Sequence, residues 1–252
     1  MLIPFIVILV ISTVFSMFGK GGGSLYTPVL VMLGLDLGAS IATALFLNLV
    51  TAFVATIVFA RNKLVDFKFC YVFLPGTILG SLLGALLSAR APRELLLGIF
   101  SIFLYGAGTF MAFSKKETPG QTARPLDFNL IVLIAVFSFG VGILSSLIGV
   151  GGGLVIFPFL VLYMKYPAQK AAGANAFIVA VSSLVGTAGH FASAHAPLPL
   201  PLMLATSAAC VIGSTIGSHV TVKASPAFVK IAFAFVMWFF ATQIALKLFG
   251  VL

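Results

Sequence analysis

The strongest constraint in this sequence is an internal duplication built around two glycine clusters. Gly19-Lys20-Gly21-Gly22-Gly23-Ser24 and Gly149-Val150-Gly151-Gly152-Gly153-Leu154 each interrupt a long apolar run. A proline follows each at the same distance, so Gly19 to Gly149 and Pro28 to Pro158 are both steps of 130 residues. Ala42-Thr43-Ala44 falls on Ala172-Gly173-Ala174 at that offset, and Gly80-Ser81 with Gly84 falls on Gly213-Ser214 with Gly217 at 133. A chain repeated in this way must find one local solution twice and bury the copies against each other.

Composition decides the solvent. The 252 residues are 61% hydrophobic and 8% charged, with a mean hydropathy of +1.23. A soluble domain needs roughly a quarter of its residues charged to cover its surface. The chain therefore belongs in a membrane, where only helices and closed barrels satisfy their own backbone. Its apolar runs are continuous rather than alternating, which selects helices. They fall at 2–18, 25–35, 40–60, 69–89 and 95–113, and again at 128–148, 155–164, 171–189, 198–222 and 227–246. Two membrane repeats, 1–113 and 128–252, thus flank a polar linker at 114–127.

Crossing the hydrocarbon takes about 20 helical residues. The 25–35 and 155–164 runs reach only halfway. Short, glycine-interrupted segments at matching places in two halves point to broken helices around a midplane site. The expected fold is all-α and polytopic, each repeat holding a glycine-turn hairpin with a half-length helix and about three full transmembrane helices.

Charge placement predicts how the repeats lie. Residues 61–68 hold Arg61, Lys63 and Lys68, whereas the counterpart at 190–201 has no Lys or Arg. The loop near Asp36 has none, while its counterpart carries Lys165 and Lys170. Corresponding loops fall on opposite sides, as an inverted repeat requires. Placing 61–68, 114–127, 165–170 and 223–230 in the cytoplasm gathers ten of the fourteen positive residues there and puts both termini outside. The net charge of +9 is then a topology signal, and nucleic acid is not an expected partner.

The glycine turns suggest chemistry. A helix start exposes unpaired N–H groups and about half a positive charge. Glycines let an oxyanion approach that backbone closely. Two half-helices beginning at Ser24 and Leu154 would aim two such ends at one site. The expected anion contacts are Lys20, Gly21, Gly22, Gly23 and Ser24 in one turn, and Gly151, Gly152, Gly153 and Leu154 in the other. Asn48 and Asn175, on the helices that follow, are candidate donors, as are Ser182, Ser183 and Thr187. Close helix packing is the competing use of all these small and polar residues. The pairs Gly80/Gly84 and Gly213/Gly217 are read as packing faces.

Other chemistries lack their residues. Gly19-Lys20 is without the upstream glycine spacing and the following Ser/Thr of a phosphate loop. A serine nucleophile elbow is missing, and Asp36, Asp66 and Asp127 fall in loops rather than as an intramembrane pair. The histidines fit no metal spacing, though His190 at the end of an apolar run is a possible proton relay. Cys70 and Cys210 lie in apolar segments and read as small core residues. The phenylalanines, tyrosines and Trp238 read as lipid-facing and interfacial. No metal, cofactor or catalytic group is expected.

Gly19-x-Gly-Gly-Gly-x-x-x-x-Pro28 and Gly149-x-Gly-Gly-Gly-x-x-x-x-Pro158 resemble the two signatures of the TauE/SafE sulfite exporter family, also called the toluenesulfonate uptake permease family. The resemblance extends over nearly the whole chain. It implies a bacterial or archaeal inner-membrane carrier for sulfur-containing anions such as sulfite, sulfoacetate or sulfonates. The signature positions carry over onto Gly19, Gly21, Gly22, Gly23 and Pro28, and onto Gly149, Gly151, Gly152, Gly153 and Pro158. Lys20 departs from the usually apolar residue at its place. The expected function is export of a small anion by alternating access. An anion channel is the alternative, and an intramembrane enzyme using Cys70 or Cys210 a more distant one. The partners this requires are a small anion and the lipid bilayer; the sequence leaves oligomeric state open.

Overall fold

A computed structural model of the protein describes residues 2–87, 93–114, 126–148, 152–193 and 200–248. The described residues form helices α1 (Leu2–Ser16), α2 (Gly23–Met32), α3 (Leu37–Arg61), α4 (Phe67–Leu87), α5 (Arg93–Phe113), α6 (Phe128–Ile148), α7 (Gly153–Pro158), α8 (Ala168–Ser193), α9 (Leu200–Lys223) and α10 (Pro226–Leu248). A π-helical stretch, Phe159–Tyr163, continues α7 beyond Pro158. Six of the helices, α3, α4, α6, α8, α9 and α10, are long and apolar enough to cross a bilayer. The ten residues of α2 reach only about 15 Å.

Helix ends follow local chemistry. Asp36, Asp66 and Asp127 lie just ahead of α3, α4 and α6, where their carboxylates accept from the N–H groups of Gly38, Phe69 and Leu130. A carboxylate there satisfies orphan donors and meets the positive end of the helix dipole. Outside the spans, the buried Tyr166 hydroxyl donates to Asp66 at 3.2 Å; burial and then that carboxylate hold its pKa above the ordinary range. The segment 223–230 differs from the expected loop. Pro226, well suited to a first helical position, starts α10 with only two residues between it and the end of α9, so Lys230 lies inside α10 and is buried.

The duplication reappears in the packing. With α1–α5 matched to α6–α10 in order, each major contact maps onto another or onto itself. The contact of α1 with α9 corresponds to that of α6 with α4, and α3 with α9 to α8 with α4. The pairs α3–α8 and α5–α10 each join a helix to its own counterpart. In α3–α8, Leu45 lies against Gly186, Asn48 bonds Ser183 and Phe59 lies against Gly173, so the two helices run antiparallel. In α5–α10, Ser101 bonds the Ala241 carbonyl and Gly108 lies against Met237 and Trp238, again antiparallel.

The predicted glycine pairs are packing faces. A Cβ on Gly80 would stand 2.1 Å from the Phe139 carbonyl of α6, and one on Gly84 2.6 Å from that of Ile143. On α9, a Cβ on Gly217 would stand 1.9 Å from the Thr13 carbonyl of α1, and one on Gly213 2.6 Å from that of Leu9. In lipid, helices associate through such close backbone approach, because hydrocarbon supplies no hydrophobic drive between them.

The aromatic residues depart from the lipid-facing expectation. Many do face outward, such as Phe113 and Phe128, but Phe15, Phe18, Phe73, Phe157, Phe233 and Tyr26 are core residues. Phe18, Phe157 and Phe233 meet edge-on or tilted, with ring centroids 4.4 to 6.1 Å apart. Trp238 is half-buried, packs on Gly108 and donates to Thr109. Where small residues recur along a helix, large rings from its neighbours fill the space at interior density.

Gly80→Ala and Gly217→Ala should each destabilise the protein by about 1–3 kcal/mol through overpacking. Gly106→Ala, with nothing within 4 Å of the added methyl, should be neutral or mildly stabilising. Thermal unfolding in detergent measures all three.

Candidate anion site at the apposed glycine turns

The first turn begins where α1 stops. The Gly19 N–H bonds the Ser16 carbonyl, the Lys20 N–H reaches back to Phe15, and Gly19 has φ +63°. This is a left-handed helix stop, which glycine adopts without a Cβ penalty. Gly21 has φ +70°, and Gly22 then caps α2. In the second turn Gly152 has φ +49° and caps α7. Gly149 and Gly151 lie outside the described residues.

The structure brings the two turns into contact. A Cβ on Gly153 would stand 2.8 Å from Lys20 Cγ and 3.0 Å from Val179. Gly19 lies so close to α8 that a Cβ would stand 1.9 Å from the Ala172 carbonyl. The turns also lie opposite the middle of the long helices. Gly23 donates its N–H to Asn48 Oδ1 at 2.9 Å, and Asn48 is about halfway along α3. Val179, beside Gly153, is about halfway along α8.

Both predicted asparagines are fully buried here, and each has internal partners. Asn48 caps α2 through Oδ1 and donates from Nδ2 to Ser183 Oγ at 2.6 Å. Asn175 Nδ2 donates to the Phe18 carbonyl at 2.9 Å and to the Gly153 carbonyl at 3.2 Å, which ties the end of one turn to the start of the other. Asn175 Oδ1 is buried with no partner among the described residues. The glycines serve packing as well: a Cβ on Gly21 would stand 2.2 Å from Asn48 Oδ1, and one on Gly22 2.2 Å from the Tyr26 ring.

Lys20 is the exceptional residue. It is 0% exposed, its ammonium meets Ser24 Oγ, and it lies over the rings of Phe15 and Phe240 at 4.4 and 5.0 Å from their centroids. The carboxylates of Asp36, Asp66 and Asp127 are engaged at helix starts, and none forms an ion pair with it. Aromatic faces attract a cation by their quadrupole but do not neutralise it. The arrangement is a desolvated lysine side chain beside two helix starts.

The remaining candidates lie around this centre. Leu154 is fully buried at the start of α7, and Pro28 and Pro158 lie inside α2 and at the end of α7. Ser182 and Ser183 line a small pocket with Ser81, Ser145 and Ser146. Thr187 is buried with its hydroxyl unpartnered among the described residues. His190 belongs to α8, but its side chain lies outside the description. Cys70 and Cys210 are free and buried, with sulfur contacts to the Ala174 carbonyl and the Tyr26 hydroxyl. Sequence reasoning missed Phe15, Phe240 and Tyr26. Their burial depends on gaps opened by glycines far away in sequence, which no local pattern reports.

Among the described residues, ten helices, six of them long and apolar enough to span, define a multi-pass integral membrane protein. The family model described as sulfite exporter TauE/SafE matches residues 4–244, and the chain belongs to that family. It is similar to the probable membrane transporter protein YunE of Bacillus subtilis, at 26% identity over 74% of this chain and 77% of that protein. A probable membrane transporter protein of Methanocaldococcus jannaschii is 24% identical over 92% of this chain and 91% of its own length. No solved structure matches.

Asn175→Leu should cost about 1–3 kcal/mol, because it leaves the buried Phe18 and Gly153 carbonyls without their shared donor. Chemical or thermal unfolding of the purified variant checks this.

Proposed function

We propose that the protein is a secondary carrier that exports a small sulfur-containing anion, such as sulfite, sulfoacetate or a related organosulfonate, across the cytoplasmic membrane. The observation that carries this reading is Lys20, a fully buried amine with no carboxylate partner among the described residues, at the meeting of two glycine turns. An isolated charge in a low-dielectric interior is costly, and a bound anion offsets that cost. Family membership supports a sulfur oxyanion as the substrate class.

In this reading the anion lies between the turns, against Lys20 and Ser24 and the backbone of Gly21, Gly22, Gly23, Gly151, Gly152, Gly153 and Leu154. Asn48 and Asn175 hold that backbone in place beside it. The repeats are inverted, which is supported by the antiparallel run of α3 against its counterpart α8. One half rocks against the other around the midplane site. The positive loops face the cytoplasm and both termini lie outside. Membrane potential, negative inside, then favours anion exit by about 2.3 kcal/mol per charge per 100 mV. A coupled proton, if one moves, passes through Lys20 or His190.

The test is flux in proteoliposomes of sulfite, sulfoacetate, sulfate and chloride. Saturable uptake with counterflow of a sulfur oxyanion is expected; ohmic current without counterflow overturns the carrier in favour of a channel. Lys20→Met should reduce flux at least tenfold while raising the melting temperature by a few degrees, since it removes an unbalanced charge at nearly constant volume. Unchanged flux in that variant removes Lys20 from the site.

A further inference from the structure

Three loops meet at one end of the helices. Leu64, between α3 and α4, lies so close to α8 that a Cβ on Gly173 would stand 2.5 Å from its carbonyl. Tyr166, just ahead of α8, donates to Asp66, and Gln169 on α8 donates at 2.8 Å to the Ala224 carbonyl that follows α9. Arg61, Lys63, Lys68, Lys165, Lys170 and Lys223 stand on these loops and helix ends, and all six are exposed. Helices α4 and α6 run parallel, with Gly76 against Ala135 and Gly84 against Ile143, so α6 starts at this end too. The carboxylates here among the described residues are then Asp66 and Asp127, which are turned to the helix starts they cap.

Membrane topology alone asks for an excess of positive residues on one side. Two observations go beyond it. Lys63 and Lys165 have φ +57° and +60°, the left-handed region in which helices ordinarily stop on glycine or asparagine. A topology signal needs charge only somewhere near the loop, and a neighbouring position supplies it without placing a long side chain in that region. The face also lies next to the turn that carries Lys20. Gly19 packs on the Ala172 carbonyl, two residues after Lys170, and Met17 accepts at 2.7 Å from Thr221, two residues before Lys223. Two residues are about 3 Å of helix rise.

We propose that this cationic face is a capture surface for the transported anion, concentrating it at the end of the molecule from which the Lys20 turn is loaded. The assignment rests on the carrier reading above. A face of one charge sign raises the local concentration of oppositely charged solute and speeds its arrival, by about 10- to 1,000-fold in focused clefts. Sulfoacetate and fully ionised sulfite are dianions, so enrichment acts on them as the square of its effect on a monoanion. Exposed cations act in this way through space, without a fixed contact, and salt screens them within about 10 Å at 0.1 M. Anionic lipid headgroups share the chemistry and are the competing occupant.

The full chain in proteoliposomes decides this, with sulfoacetate and sulfite at mildly alkaline pH as probes. Lys165→Cys is modified after reconstitution, when its topology is already fixed. A trimethylammonium-ethyl or a sulfonatoethyl methanethiosulfonate then restores or reverses the charge at similar size, from the side to which the anion is added. Wild type, whose Cys70 and Cys210 are buried, is treated alike as the control. At an ionic strength of about 10 mM, KM should be at least threefold higher in the sulfonated form with the maximal rate unchanged, and the difference should fall away near 1 M salt. Equal KM in the two forms leaves the charges to topology and overturns the proposal, while the carrier reading stands. A difference present with phosphatidylglycerol in the bilayer and absent in pure phosphatidylcholine assigns the face to lipid headgroups and also overturns it. A wild type that carries neither anion overturns the carrier reading itself. Lys170→Cys takes the same treatment should Lys165→Cys not fold.

Discussion

A helix broken inside a membrane leaves backbone groups that hydrocarbon cannot satisfy, and the rest of this structure is arranged around meeting that cost. The chain breaks twice, at Gly19–Gly23 and at the turn ending in Gly153. Two buried asparagines serve the exposed groups. Asn48 accepts from Gly23 at the start of α2, and Asn175 donates to Phe18 and Gly153 across both turns. Both asparagines stand on the long central helices, which cross each other antiparallel and carry the turns at mid-length. The outer helices then pack through glycine faces that hold this centre closed.

The two copies of the duplicated unit are not equivalent at this centre. One carries Lys20 where the other carries Val150, and Asn48 and Asn175 are not related by the 130-residue step. The scaffold therefore keeps its exchange of contacts while its lysine lies on one side only. In the proposed carrier one lysine faces one anion, and a second lysine in the same space would repel the first. Proteins commonly hold such unbalanced groups at functional positions at some expense of stability.

Much of the architecture was legible in the residues. The offset from Pro28 to Pro158 located both broken helices, and the half-length runs at 25–35 and 155–164 correspond to α2 and to α7 with its π-helical extension. Gly80, Gly84, Gly213 and Gly217 were read as packing faces, and their neighbours are the backbones of α6 and α1. The aromatic residues were not legible. Phe15 and Phe240 look like any lipid-facing phenylalanine in sequence, yet they flank Lys20, because burial in a membrane protein is decided by the partner helix rather than by hydrophobicity.

What the sequence by itself determined was class, helix number and the places where helices break. Those follow from the length of apolar runs against bilayer thickness, and from glycine and proline acting on the backbone where they stand. What only the tertiary structure decided was that the two turns touch, that Lys20 is sealed between aromatic rings, and that five serines from three helices surround one space. Those depend on pairing helices a hundred residues apart. In lipid every helix face is apolar enough to be an outside, so only shape complementarity chooses which one is inside.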